Sequence, residues 1–160
     1  MTSKRLPSCL LSLPVLAALP LVAQTRWENP VKKLLRDGQP VIGATITVPS
    51  VETAAQMANA GFDFLWIEME HSPITLETAR GMILATRGLK AIPIIRVPAN
   101  ELWLAKRALD IGALGVIFPF TSNARLARQA VAACRYPTAG RRGYGPGLAT
   151  FRWPAPDEGY

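Results

Sequence analysis

The sequence predicts an α/β protein with a parallel sheet. Three observations carry that prediction. β-rich apolar runs start near residues 41, 63, 91 and 114. Each is followed by a stretch with helical spacing of small apolar residues, as repeated βα units require. The second run, Asp63 to Pro73 (DFLWIEMEHSP), is too apolar for a one-sided surface strand and reads as buried on both faces. It ends in Glu68, Glu70 and His71, the only histidine of the chain, and such a charged strand end is where α/β folds place their chemistry.

Length and composition narrow the options. The 160 residues suit one domain, and 49% apolar against 18% charged residues is globular composition. The formal charge of +7 comes with no zinc-ligand pattern and no aromatic RNA-binding signature. Nucleic acid is therefore not expected as a partner, and the basic residues suit a small carboxylate substrate or solubility. They gather late, at Arg125, Arg128, Arg135, Arg141, Arg142 and Arg152. Residues 1–24 read as a secretory signal peptide: Lys4 and Arg5, an apolar stretch from Leu10 to Val22, and a small residue, Ala23, for cleavage. The expectation is an exported protein with no stable membrane span after cleavage. A misassigned start would instead leave it cytoplasmic. Cleavage removes Cys9 and leaves Cys134, which reads as a core cysteine in a run of small apolar residues.

The elements follow in order. Asn29 caps a short helix with Pro30 at its first position, ending at Gly38. Val41 to Val48 is the first strand, and Ser50 caps a helix that Gly61 stops. Strand two runs from Asp63 to Met69, and Thr75 caps a helix ending at Gly88. Strand three is Ala91 to Val97, followed by a helix capped by Asn100 and stopped at Gly112. Strand four is Leu114 to Pro119, and Ser122 or Asn123 caps a helix through Cys134. Four such units fit either an open doubly wound sheet or part of a (β/α)₈ barrel, whose full circuit needs roughly 200 residues or more. VPSVET after strand one is no dinucleotide fingerprint.

Thr138 to Trp153 (TAGRRGYGPGLATFRW) has neither period. Its glycines allow close backbone approach and its arginines suit an anion, so it reads as a functional loop. In a parallel sheet the ends of strands two and three share one mouth. His71 there can move a proton near neutral pH, and Arg96 can hold a carboxylate or a developing enolate. The structural alternative for Arg96 is an ion pair with Glu68 or Glu70.

The segments EHSP, IIRVP, KRALDIGALGVIFP and YPTAGRRGYGPGLA resemble the HpcH/HpaI aldolase and citrate lyase family over about residues 30–153. The resemblance implies a (β/α)₈ TIM barrel, of which the chain holds the first four units, so a fragment of a longer product is expected. It implies a class II pyruvate aldolase that cleaves 4-hydroxy-2-oxo acids, uses Mg²⁺, Mn²⁺ or Co²⁺, and assembles as a homo-oligomer, commonly a hexamer. By the same resemblance His71 is the catalytic base and Arg96 binds pyruvate and steadies its enolate. Asp110 orients the histidine, although its place at a helix end puts it far from His71. Glu70 and Glu68 stand beside the metal without ligating it directly, and Arg142, Gly143 and Gly145 contribute to substrate binding. The metal ligands themselves are expected beyond Tyr160. An acyl-CoA ester lyase of the citrate lyase beta type is the alternative enzyme, and a non-catalytic binder or assembly subunit the alternative of another class.

Overall fold

A computed structural model describes residues 27–153, so the signal-like segment lies outside the described residues. The chain forms α1 (Pro30–Arg36), β1 (Gly43–Ile46), α2 (Val51–Asn59), β2 (Phe64–Glu68) and α3 (Leu76–Leu84). It continues with β3 (Ile92–Arg96), α4 (Leu102–Asp110), β4 (Gly115–Ile117), α5 (Ala124–Cys134) and a 3₁₀ helix, Pro146–Phe151. The four strands are parallel and lie in chain order, β1-β2-β3-β4. Consecutive order without reversal is the winding of a barrel, not of a doubly wound sheet. It puts all the helical crossovers on one face.

Local chemistry sets the boundaries. Asn29 Oδ1 accepts from the Val31 amide at 3.0 Å, and Pro30 takes the first helical position. The Ser50, Thr75 and Asn123 side chains accept from the amides of Thr53, Thr78 and Leu126. Such caps each stabilise a helix by about 1 kcal/mol. The glycines that end the helices have left-handed backbone: φ is 93° at Gly61 and 108° at Gly112. At Gly112 a Cβ would also fall 2.9 Å from the Arg152 Cβ, so both backbone angle and space demand glycine.

Leu65, Ile67, Ile95 and Val97 point to the helix side and are buried with Met82 and Ile83. Ala54, Ala58, Ala79 and Ala108 line the facing helices and let them lie close to the sheet. Each fully buried Leu, Ile or Val contributes about 1.5–3 kcal/mol, which makes this layer the main source of stability.

Four expectations change. The first and fourth strands are shorter than the apolar runs containing them, because regular pairing covers only Gly43–Ile46 and Gly115–Ile117. The strand at 63–69 is buried on one face only: Phe64 and Trp66 are half-exposed on the face opposite the helices. Asn100 does not cap α4. Glu101 holds the cap position without a side-chain bond, while Asn100 Nδ2 donates to Thr121 Oγ1 and the Leu126 carbonyl, each at 3.2 Å. The segment after Pro137, where the sequence shows neither period, is also partly regular. Its 3₁₀ helix leads to Arg152, which is 3% exposed and donates to Thr86 Oγ1 (2.6 Å) and the Ala91 carbonyl (3.3 Å).

Candidate active site

The parallel register pairs Glu68 with Arg96, so the last residues of β2 and β3 stand side by side. Period two places Trp66 and Glu68 on the same face of β2. Glu68 is the hub. Its Oε1 accepts from the amides of Glu70 (2.7 Å) and His71 (3.1 Å). Its Oε2 accepts from Trp66 Nε1 (3.1 Å) and Arg96 Nη1 (3.2 Å). The Ser72 hydroxyl donates to the Glu68 carbonyl, which curls the chain back after the strand. Burial acts to raise the Glu68 carboxyl, but the two amides and the Arg96 guanidinium outweigh it and hold it below the ordinary glutamate value.

Glu70 links the other two groups. Its Oε2 pairs with Arg96 Nη2, and its Oε1 lies 3.5 Å from His71 Nε2. The Glu70 side chain is 6% exposed and that of His71 70% exposed, so the imidazole stands at the solvent edge of the cluster. Arg96 lies over Trp66, its Cζ 5.8 Å from the ring centroid. With two carboxylates and a ring around it, the guanidinium is fixed in direction. It keeps further N–H donors for an incoming carboxylate, since five are available. The structure therefore brings Glu68, Glu70, His71 and Arg96 to one end of the sheet.

It does not bring Asp110, Arg142, Gly143 or Gly145 there. Asp110 ends α4, and a crossover helix runs antiparallel to the strands, so its last residue lies at their N-terminal end. There Arg142 Nη2 donates to Asp110 Oδ1 at 2.8 Å, with the Arg142 side chain 7% exposed and its Cζ 4.7 Å from the Tyr136 ring centroid. A Cβ on Gly145 would sit 3.3 Å from Asp110 Oδ2, and one on Gly143 would sit 3.5 Å from Lys106 Cδ. These glycines let the segment lie against α4. Within this chain the loop's Arg142 is an internal anchor, not part of the mouth, held by the Asp110 carboxylate and the Tyr136 ring. Cys134 is half-buried, and burial pushes its thiol up, away from the reactive thiolate.

Trp66 is the site residue that the sequence reading passed over as core. The signal was its spacing of two from Glu68, which puts an indole N–H beside a carboxylate.

A family model described as HpcH/HpaI aldolase/citrate lyase matches residues 46–151. A hydroxypyruvate/pyruvate aldolase of Roseobacter denitrificans is 41% identical over 117 residues, 73% of this chain and 46% of that protein. A 4-hydroxy-2-oxo-heptane-1,7-dioate aldolase of Salmonella dublin is 39% identical over 127 residues, 79% of this chain and 48% of that protein. Among solved structures, a family protein of Burkholderia cenocepacia J2315 superposes with a TM-score of 0.71 at 35% identity, covering 78% of this chain and 52% of that one. The chain spans about half the length of the curated relatives it matches. The extent of these matches and the consecutive parallel βα units agree, and the chain belongs to the HpcH/HpaI aldolase/citrate lyase family.

Proposed function

We propose that this chain carries the proton-transfer and oxo-acid-binding groups of a carbon–carbon lyase that splits a 4-hydroxy-2-oxo acid into pyruvate and an aldehyde. The observation that supports this most is the Glu70 carboxylate bridging His71 and Arg96 at the strand ends. Arg96 takes the substrate carboxylate and 2-oxo oxygen. His71 accepts the proton of the C4 hydroxyl, directly or through a water, and the C3–C4 bond breaks. The aldehyde leaves, and the electron pair remains as the pyruvate enolate, whose oxygen the guanidinium stabilises. The proton on His71 then returns to the enolate C3, giving pyruvate and the free base.

The divalent metal implied by the family resemblance has no fitting ligand set here. No group of three or more His, Cys, Asp or Glu able to hold a metal occurs among the described residues. Glu68 and Glu70 are committed to Arg96 and to backbone amides. A divalent metal would need further donors besides those of the described residues. The alternative acyl-CoA reading loses Arg142 of the glycine-rich segment, which is buried against Asp110 and the Tyr136 ring.

Pyruvate release by the product of the intact gene, followed through NADH consumption by lactate dehydrogenase, tests the reading. His71→Ala is expected to lower turnover by roughly a hundredfold or more. Arg96→Lys keeps the charge but loses the planar fork, and is expected to raise the KM for the oxo acid as well as lower kcat. Undiminished turnover in His71→Ala would remove the imidazole from the mechanism.

A further inference from the structure

The late arginines separate into two sets with different roles. Arg142 and Arg152 are buried and bonded within the fold. Arg125, Arg128 and Arg141 are exposed and line one groove of about 540 Å³ on the outer seam of α4 and α5. Among the described residues no carboxylate lies within ion-pair distance of any of the three. Among the described residues Glu101 is the only acid lining the groove, so there three guanidiniums face one carboxylate, a net +2.

The groove is built, not frayed. The Arg141 amide donates to the Ala132 carbonyl at 2.7 Å and the Arg142 amide to the Arg135 carbonyl at 2.9 Å, which ties the Arg-Arg pair to the end of α5. Gly140 permits this: a Cβ there would come within 2.3 Å of the Arg135 carbonyl oxygen and 2.6 Å of that of Ala132. With Arg142 turned inward to Asp110, Arg141 is left outside, toward Arg125 and Arg128. Gln129 Nε2 donates to the Asn100 carbonyl at 3.2 Å and fixes α5 to the turn before α4. Arg125 and Arg128 are one helical step of three apart, about 4.5 Å along the axis, so their heads share a small region of space.

We propose that this groove is a binding site for a small anion carrying two or more linked phosphoryl groups. Unpaired guanidiniums at this spacing repel one another and match a multivalent oxyanion that each can grip through two N–H donors. Among the described residues no aromatic side chain lines the groove. It therefore offers neither a stacking platform for a base nor an aromatic anchor for a protein partner. The site lies on the helical side, apart from the Glu68–Arg96 cluster on the opposite face of the sheet, and is independent of the lyase reading.

Isothermal titration calorimetry of the product of the intact gene with inorganic pyrophosphate, in metal-free buffer with 150 mM chloride, tests it. Saturable one-site binding is expected. Arg128→Gln and Arg141→Gln are each expected to weaken it by about tenfold or more, the scale of one charge-assisted contact. Glu101→Gln is expected to tighten it, since it removes the like charge. ADP in a second arm is expected to bind no tighter than pyrophosphate, and pyruvate is expected not to compete. The melting temperature of Arg128→Gln is expected to hold or rise slightly, because a repulsion is relieved; a purely structural arginine would lower it. No heat at millimolar pyrophosphate would overturn the site, as would binding unchanged in both arginine variants. ADP binding much tighter than pyrophosphate would overturn the reading that the groove grips phosphoryl groups alone and offers no platform for a base.

Discussion

Glu68 shows how one residue sets a site. Four donors converge on its carboxylate, from an indole, a guanidinium and two amides. It orients Arg96 by charge and, through the Glu70 and His71 amides, fixes the turn that presents the histidine. Its role was only half legible in the sequence. The charged strand end was plain from composition, but that Glu68 and not Glu70 would hold the turn depends on where the backbone amides point after the strand. Because the folded state depresses its pKa, its contribution is present above the unfolded glutamate value of about 4.3 and is lost as pH falls through the folded value. Glu68→Gln is expected to cost about 2 kcal/mol at pH 7, the scale of a broken charged hydrogen bond. Urea unfolding at pH 7 and at pH 3 should show the gap between variant and parent narrowing at the lower pH. An unchanged gap would mean that the ionised carboxylate is not what stabilises the turn.

At the scale of elements, the βα rhythm could be read because each helix carries its own start and stop. Ser50, Thr75 and Asn123 cap by their own side chains, so local sequence suffices. Asn100 is not the cap because tertiary partners, Thr121 Oγ1 and the Leu126 carbonyl, take its Nδ2 and set the direction of the side chain, and Glu101 holds the cap position. The order of the glycine-rich segment is not legible locally for a related reason. Its order comes from long-range anchors: Arg142 to Asp110, Arg152 to Thr86 and Ala91, and Trp153 edge-on to Trp27 with centroids 4.6 Å apart. No window of sequence contains those partners. Arg152 closes the N-terminal end of β3 with no carboxylate partner among the described residues, and burial pushes its guanidinium below the ordinary arginine value. Arg152→Ala would leave the buried Ala91 carbonyl without that donor and open a void beside Gly112. We expect a loss of about 3 kcal/mol, combining an orphaned polar group with lost packing. Chemical denaturation would read it directly, and a loss below about 0.5 kcal/mol would make the segment an ornament of the fold, not a brace.

For the molecule as a whole, the decisive feature is the asymmetry of the sheet. One face is covered by helices and largely buried; the other carries Phe64, Trp66, Ile94 and Ile117 half-exposed, with the Phe64 ring lying over Gly43. Alternating glycine and large side chains across neighbouring strands, Gly43 beside Phe64 and Gly115 beside Ile94, is how the interior of a barrel fills its layers. Among the described residues nothing packs as a second layer on that face, and β1 and β4 present unpaired edges. An apolar face flanked by open edges drives association. The 160-residue chain by itself is therefore expected to bind a hydrophobic dye and to self-associate with rising concentration in sedimentation velocity. Ile117→Lys puts a charge on both the exposed face and the edge strand, where its long stem can reach water. It should reduce dye binding and shift the sedimenting species toward monomer, with little change in the helix content seen by circular dichroism. Monomeric sedimentation of the parent chain at every concentration, without dye binding, would show that this face is satisfied as it stands.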